Sequence, residues 1–287
     1  MNGLKQNLKE TVMKNVFLIS AFASVLAVAL ICVFLFASGI PPIGKIGIVN
    51  FLLGREWSPN DIPPSFGILP MILGSVYITL GAVTIGVPTG IFTAVYLARY
   101  CPKNLYKFLK PAVELLAGIP SVVYGFFGIV VLVPLVRLIG GNGSGILTAS
   151  LLLGIMILPT IIGICEAAIR AVPDHYFEGA VALGASRERA IYGVTLPAAR
   201  SGVLAAVVLG TGRAIGETMA VIMVAGNQAR MPAGLLRGIR SMTANIVIEM
   251  GYSSGLHRDA LIATGVVLFV FILLINVLFT ALVKKKD

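Results

Sequence analysis

Charge is scarce in this sequence: 12% of its 287 residues are Asp, Glu, Lys or Arg, about half the share usual in a soluble domain. With 57% hydrophobic residues and a mean hydropathy of +0.97, such a chain is not built to dissolve in water. Secreted, disordered and cytosolic-enzyme readings are excluded. Acids are the rarer sign, 12 against 22 Lys and Arg, for a net charge of +10. Only three cysteines occur, Cys32 and Cys165 in apolar runs and Cys101 among basic residues, so neither a disulfide framework nor a C-x-x-C metal pair is available. No metal, haem or redox cofactor is indicated. A G-x-x-x-x-G-K-[ST] phosphate loop is also missing, so the chain does not hydrolyse ATP by that route.

What the sequence does contain is a series of long uncharged runs. A charge at the centre of a bilayer costs about 2.5–3.5 kcal/mol even on the mildest insertion scale, so charges punctuate the chain into spans. Six are expected, at about 16–40, 67–98, 115–136, 146–165, 197–225 and 260–283. The run from Val16 to Ile40 follows Lys5, Lys9 and Lys14 but exceeds the apolar core of a signal peptide, about 7–15 residues, and reads as a retained helix. Gly86 and Pro88 are expected to bend the second span. The glycine-rich loop 140–145 separates the third from the fourth. Period-two strand patterns are absent and isolated helices satisfy their own backbone in lipid, so the expected fold is an all-α polytopic membrane protein. Its organisation is an N-terminal segment 1–15, a transmembrane domain 16–283 with a surface loop at 170–196, and a tail 284–287.

Six spans place both termini on one side, and the basic residues indicate which. Lys5, Lys9 and Lys14, then Arg99, Lys103, Lys107 and Lys110, then Arg170, Arg187, Arg189 and Arg200, with the lysines of the tail, put most of the 22 cations on the side of the termini. That side is expected to be cytoplasmic. The net charge is thus a matter of topology, and nucleic-acid binding is not needed to explain it.

Two features carry chemistry. In the 170–196 loop, Asp174 can cap a short helix ending near Ala182 or Leu183. Gly184 suits a left-handed turn, Ser186 can cap a second helix, and Pro197 ends or redirects it. An amphipathic linker resting in the headgroups is the plainer alternative. The second feature is Arg213 with Glu217 in the fifth span. Four residues apart, they are expected to pair on one helix face, beside a face of Gly212, Gly216 and Ala220 small enough for a second helix to approach. A structural salt bridge is one reading. The other is a substrate pathway, because ionisable residues inside membranes usually face one and an arginine fork suits a tetrahedral oxyanion.

Glu178, Ala180, Gly184, Leu196 and Pro197 stand at the offsets of E-A-A, three residues, G, nine residues, I-x-L-P, with Gly179 and Val194 as mild departures. The loop therefore resembles the signature of ABC importer permeases. That resemblance implies a coupling helix docking into an ATPase subunit, with ATP and Mg held by that partner. A narrower resemblance covers nearly the whole chain: Glu114 to Gly125, Trp57-Ser-Pro with Gly67 to Pro70, and Arg213 to Val221 look like the C-type permease (PstC) of phosphate-specific ABC importers. It implies a homologous PstA-type permease, two PstB-type ATPases and an external PstS-type phosphate-binding protein as partners, with Arg213 and Glu217 on the translocation path. Transport without chemical transformation is the expected activity, in the cell membrane of a prokaryote. A sulfate or molybdate importer permease and a secondary anion transporter are the alternatives. Read without the family, Glu114 is an interfacial acid near Lys110, Gly118 and Pro120 a helix break, and Trp57 an interfacial anchor. The long 226–259 loop, with Arg230, Arg237 and Arg240 among Leu235, Leu236 and Ile239, is expected to form a short surface helix that meets the binding protein, a solvated loop being the plainer alternative.

Overall fold

The structure, a computed structural model, describes residues 2–284; Met1 and residues 285–287 of the expected tail lie outside it. Helix α1 spans Asn2–Ile46, so the expected N-terminal segment is helical from Asn2 onward and continuous with the first span, which also runs on through Pro41 and Pro42. A short α2 (Ile48–Leu53) and a two-residue hairpin, β1 (Trp57–Ser58) against antiparallel β2 (Ser65–Phe66) with Trp57 opposite Phe66, lead into α3 (Leu69–Val95). A π-helical turn at Tyr96–Tyr100 extends α3. Next come α4 (Lys103–Gly118), α5 (Ser121–Phe127), a π-helical turn at Gly128–Leu132 and α6 (Val133–Arg137). Helix α7 (Ile146–Ala171) precedes α8 (Asp174–Ala182), α9 (Arg187–Ala190), a π-helical turn at Ile191–Thr195 and α10 (Leu196–Ala198). The chain closes with α11 (Arg200–Gly216), α12 (Met219–Val224), α13 (Met242–Met250) and α14 (Gly255–Lys284).

Among the described residues, four unbroken helices are long and apolar enough to cross a membrane, and six spans result if two bent pairs count as one each. The third expected span is one such pair: α4 meets the Ser121–Arg137 segment at 98°, because Pro120 cannot continue the helix and Ile119 is extended. The other is the entry to the fifth span, where Arg187–Ala198 meets α11 at 70°.

Helix α7 is the axis of the fold. Leu152, Leu153, Met156, Ile157, Ile161, Cys165 and Ile169 are all buried along it. Its main neighbour, α3, approaches over a row of glycines: a Cβ at Gly86 or Gly90 would stand 2.7 Å from Ile157 or Ile161, and one at Gly81 would clash with Ser150. Close packing of this kind replaces the hydrophobic effect, which is weak between helices in lipid. Helix α3 continues unbroken through Gly86 and Pro88, where the sequence led to an expected bend, as it lies along α7. Of the small face Gly212, Gly216 and Ala220, where a close approach is expected, a Cβ at Gly212 or Gly216 would meet nothing among the described residues, whereas Ala220 lies against α5, where a Cβ at Gly125 would stand 3.1 Å from its Cα. On α11 it is Gly210, against Ile161, and Gly202, against Ala168, that admit α7.

A second, smaller core joins Phe51, Trp57, Phe66, Ile68, Met71 and Met242 to the start of α14 at Ala260, Leu261 and Ala263. Helix α1 touches the rest mainly along α14, through Phe36 edge-on to Phe269 and Gly39 under Val266. From Val12 to Phe34 it leaves most of its large apolar side chains uncovered.

Candidate functional site

The 170–196 loop is set by local chemistry. Helix α8 ends in a left-handed Gly184 (φ 88°), with Gly184 N–H donating to Val181 O (2.9 Å) and Ala185 N–H to Ala180 O (3.1 Å). This is the paired-bond stop that a glycine just past a helix end permits. Ser186 Oγ then accepts from Arg189 N (3.3 Å) and caps α9. Asp174 does not cap α8 with its side chain. It is the first helical residue, and its carboxylate pairs with Arg99 (2.9 Å), whose guanidinium also donates to Ile169 O and Val172 O. Arg187 reaches back to Arg99 O (2.6 Å) and lies over the Tyr100 ring. The helix pair is thereby fixed to the turn that extends α3 and to the C-terminal end of α7.

Glu178 is exposed on α8, whereas Ala180 and Gly184 line a shallow cleft of about 560 Å³ with Leu183, which is 92% exposed. Leu183 thus stands open at the tip of the helix pair. Leu196 is half-buried in α10 and packs on the main core, and Pro197 follows it two residues before the 70° bend.

Arg213 and Glu217 are not joined as expected. Helix α11 stops at Gly216, Glu217 is extended (ψ 132°) and α12 starts afresh at Met219, so the spacing of four no longer places the two side chains on one helical face. Glu217 Oε1 instead accepts from Thr218 N (3.1 Å) and Ala220 N (3.3 Å), covering the first amides of α12. Thr243 Oγ1 donates to Glu217 O (3.1 Å) and holds the break from α13. Arg213, half-buried, donates to Thr160 Oγ1 on α7 (3.2 Å) and forms no ion pair among the described residues. Tyr124 lies within electrostatic reach of it, with its hydroxyl donated to Leu116 O (2.9 Å) across the bend between α4 and α5. An unpaired guanidinium thus stands where two spans are broken.

Two polar centres were missed. Glu166, 2% exposed, accepts from Tyr106 (2.6 Å) and Lys110 (2.8 Å) on α4 and from Arg170 (2.8 Å), bolting the lateral helix α4 to α7. Its signal was the spacing of four between Glu166 and Arg170, which the reading cut by ending the fourth span at Cys165. Glu114 keeps the expected neighbour, Lys110, at 3.6 Å and is otherwise exposed. At the opposite end, buried Glu249 gathers Trp57 Nε1 (2.8 Å), His257 Nε2 (2.8 Å) and the Arg240 guanidinium. Trp57 is therefore buried structure and not an interfacial anchor. Arg240, whose side chain is 15% exposed, is likewise spent on Glu249, Asn245 Oδ1 and Asn227 O and has no charge to offer a docking protein. The surface helix expected around Leu235 to Ile239 is a turn, and the helix of this loop is α13.

Comparison with known proteins agrees with this architecture. The family described as binding-protein-dependent transport system inner membrane component matches residues 86–287. A probable ABC transporter permease protein of Bacillus subtilis (strain 168), YqgH, is 36% identical over 286 residues, covering 96% of this chain and 93% of that protein. The phosphate transport system permease protein PstC of Mesorhizobium japonicum is 34% identical over 279 residues, 90% of this chain and 84% of its own length. Among solved structures, an inward-facing MetNI methionine ABC transporter superposes with a TM-score of 0.62 at 19% identity, over 77% of this chain and 96% of that one. The fold is that of type I ABC importer permeases. By its sequence and its fold alike, the chain belongs to the family of binding-protein-dependent transport system inner membrane components.

Proposed function

We propose that this chain is the PstC-type permease subunit of an ATP-driven importer of inorganic phosphate. The observation that carries the reading is Arg213: a half-buried guanidinium in a membrane-spanning segment, without a carboxylate partner among the described residues, is a site that an anion completes. Similarity to phosphate transport permeases over most of the chain supplies the identity of the anion. Family membership brings an ATPase and a substrate-binding protein as partners. In the finer assignment these are two PstB-type ATPases and a PstS-type phosphate-binding protein, with a PstA-type permease completing the pathway.

The residues take the following roles. Glu178, Ala180, Gly184, Leu196 and Pro197 belong to the coupling loop, where Leu183 and the adjoining cleft meet the ATPase. Arg213 attracts the anion. Glu217 Oε1 is committed to α12, which leaves Oε2 to accept a hydrogen bond from a phosphate that still carries a proton, as sulfate near neutral pH does not. ATP binding closes the ATPases, the loop transmits that movement, and the two permeases turn outward to receive phosphate from the docked binding protein. Hydrolysis, with ATP and Mg on the partner, resets them. The chain itself moves phosphate without transforming it. The loop and both termini face the cytoplasm.

The test is ATP turnover by the purified complex in proteoliposomes. Phosphate-loaded binding protein should stimulate it several-fold, and sulfate with the same protein should not. Stimulation by sulfate or molybdate with their own binding protein, and none by phosphate, would overturn the anion assignment.

A further inference from the structure

At the end of the molecule remote from the 170–196 loop, three segments are joined by backbone hydrogen bonds. Gly145 N–H donates to Val224 O (3.0 Å), Leu147 N–H to Leu235 O (2.9 Å) and Ile239 N–H to Ala225 O (2.9 Å). The seam is tight: a Cβ at Gly145 would stand 2.6 Å from Arg237 O, and Gly141, with φ 71°, passes just over Leu236. It lies at the first residues of α7, whereas the coupling loop follows the last, so the two are separated by the length of a spanning helix, about 39 Å at 1.5 Å per residue.

Within this seam opens a cleft of about 540 Å³, walled by Asn142, Gln228, Arg230, Leu236 and Arg237 with Gly141 and Gly238 between them. No acid lines it. Arg230 and Arg237 are both exposed and neither forms an ion pair or side-chain hydrogen bond among the described residues. A guanidinium only donates. Asn142 Oδ1 accepts from Ser144 N (3.1 Å), while the NH₂ of that carboxamide has no hydrogen bond among the described residues. Gln228 can present either end of its amide. The side-chain wall is therefore rich in donors, holds two unneutralised positive charges and has no anionic acceptor. That chemistry repels cations and draws in small oxyanions, with arginine forks suited to two oxygens at once.

We propose that this cleft is an outer oxyanion station, which receives inorganic phosphate and passes it toward Arg213. The proposal rests on the phosphate-importer reading given above. Helix α12 links the two places: it begins directly after the break that follows Arg213 and ends at Val224 on the seam, a run of about 9 Å at 1.5 Å per residue. Carboxylates of a docked binding protein would also answer two arginines, but the donors line a concavity of about 540 Å³ and do not form a flat face.

The station can be read without activity. In the reconstituted complex, with Cys32, Cys101 and Cys165 replaced by Ser, Leu236→Cys places a thiol on a lining position that has no polar role. Millimolar inorganic phosphate should slow its modification by a negatively charged methanethiosulfonate several-fold, in the absence of binding protein, and chloride at equal ionic strength should not. Arg230→Gln with Arg237→Gln should remove that protection. Equal rates in phosphate and chloride, in a complex that still imports phosphate, would overturn the station and leave the importer standing. Shielding by substrate-free binding protein but not by phosphate would also overturn it, making the cleft a docking surface. Protection by sulfate and not by phosphate would uphold an oxyanion station while removing the phosphate assignment of the chain. Should Leu236→Cys fail to assemble, the double Arg→Gln variant in the native chain gives a second reading. Maximal uptake should fall several-fold at an unchanged half-saturating concentration of binding protein; a raised half-saturation with full maximal uptake would refute the proposal.

Discussion

A guanidinium inside a membrane-spanning segment is costly to hold without a counter-charge, and among the described residues Arg213 has only the Thr160 hydroxyl as a hydrogen-bond partner. If the passing anion completes the site, Arg213→Ala removes a charge-assisted contact of about 1.5–3 kcal/mol, which corresponds to roughly a 10- to 100-fold loss of uptake. The complex should assemble normally, because no protein carboxylate is orphaned. Uptake within twofold of wild type in an assembled complex would make Arg213 structural. Glu217 separates into two roles that substitutions can divide. Glu217→Ala removes the side-chain acceptor for the first amides of α12 and should lower stability by about 1 kcal/mol, as loss of a helix cap does, in addition to impairing uptake. Glu217→Gln keeps a carbonyl for those amides, so thermal stability in detergent should stay near wild type while discrimination of phosphate from sulfate weakens. Equal stability losses in both variants would show that the charge, and not the cap, matters. The charges themselves were legible as interruptions of an apolar run. Their separation was not, although Gly216 and Thr218 flank Glu217 as ordinary stop and start residues: continuous hydrophobicity through Val224 outweighed them in the reading.

Among the elements, the α8–α9 pair was legible almost to the residue, because glycine stop, serine cap and proline act locally and leave their marks in sequence. Gly184 tests how much depends on them. A Cβ there meets no neighbour, so the cost of Gly184→Val is conformational: a β-branched residue held at φ 88°, about 1–2 kcal/mol on the left-handed penalty alone. The turn should relax and move Leu183 off its station. ATP turnover should then persist with transport reduced at least several-fold, and the spans should insert as before. Uptake at the wild-type rate would end the assignment of this loop to coupling. The α3–α7 contact lay beyond reach of the sequence, since Gly81, Gly86 and Gly90 acquire meaning only opposite Ser150, Ile157 and Ile161. Likewise Pro120 announced a break, but the 98° turn of α4 depends on the Glu166 cluster that anchors it.

The whole molecule is unfinished as a single chain. A compact monomer of 30.2 kDa would expose about 11,700 Å², whereas this chain exposes 16172 Å². Much of the difference is helix α1, bare from Val12 to Phe34, together with Leu183, Leu235 and the open glycines of α11. Lipid and companion subunits are the natural cover for such apolar surface. Orientation in that lipid follows from the cations. The end of the molecule bearing the 170–196 loop carries Lys14, Arg99, Lys103, Lys107, Lys110, Arg170, Arg187, Arg189 and Arg200, against Lys45, Arg55, Arg137, Arg230, Arg237, Arg240 and Arg258 at the opposite end, where Arg240 is paired with Glu249. In the orientation we propose, the rule that basic loops stay inside puts the 170–196 loop in the cytoplasm, where ATP is found. Two exposed leucines test this directly, Leu183 at 92% and Leu235 at 63% exposure. In intact cells a membrane-impermeant maleimide should label Leu235→Cys and spare Leu183→Cys; in inside-out vesicles the pattern should reverse. Labelling of Leu183→Cys from outside would invert the protein, put the coupling loop beyond any ATPase, and remove the basis for reading this chain as an importer.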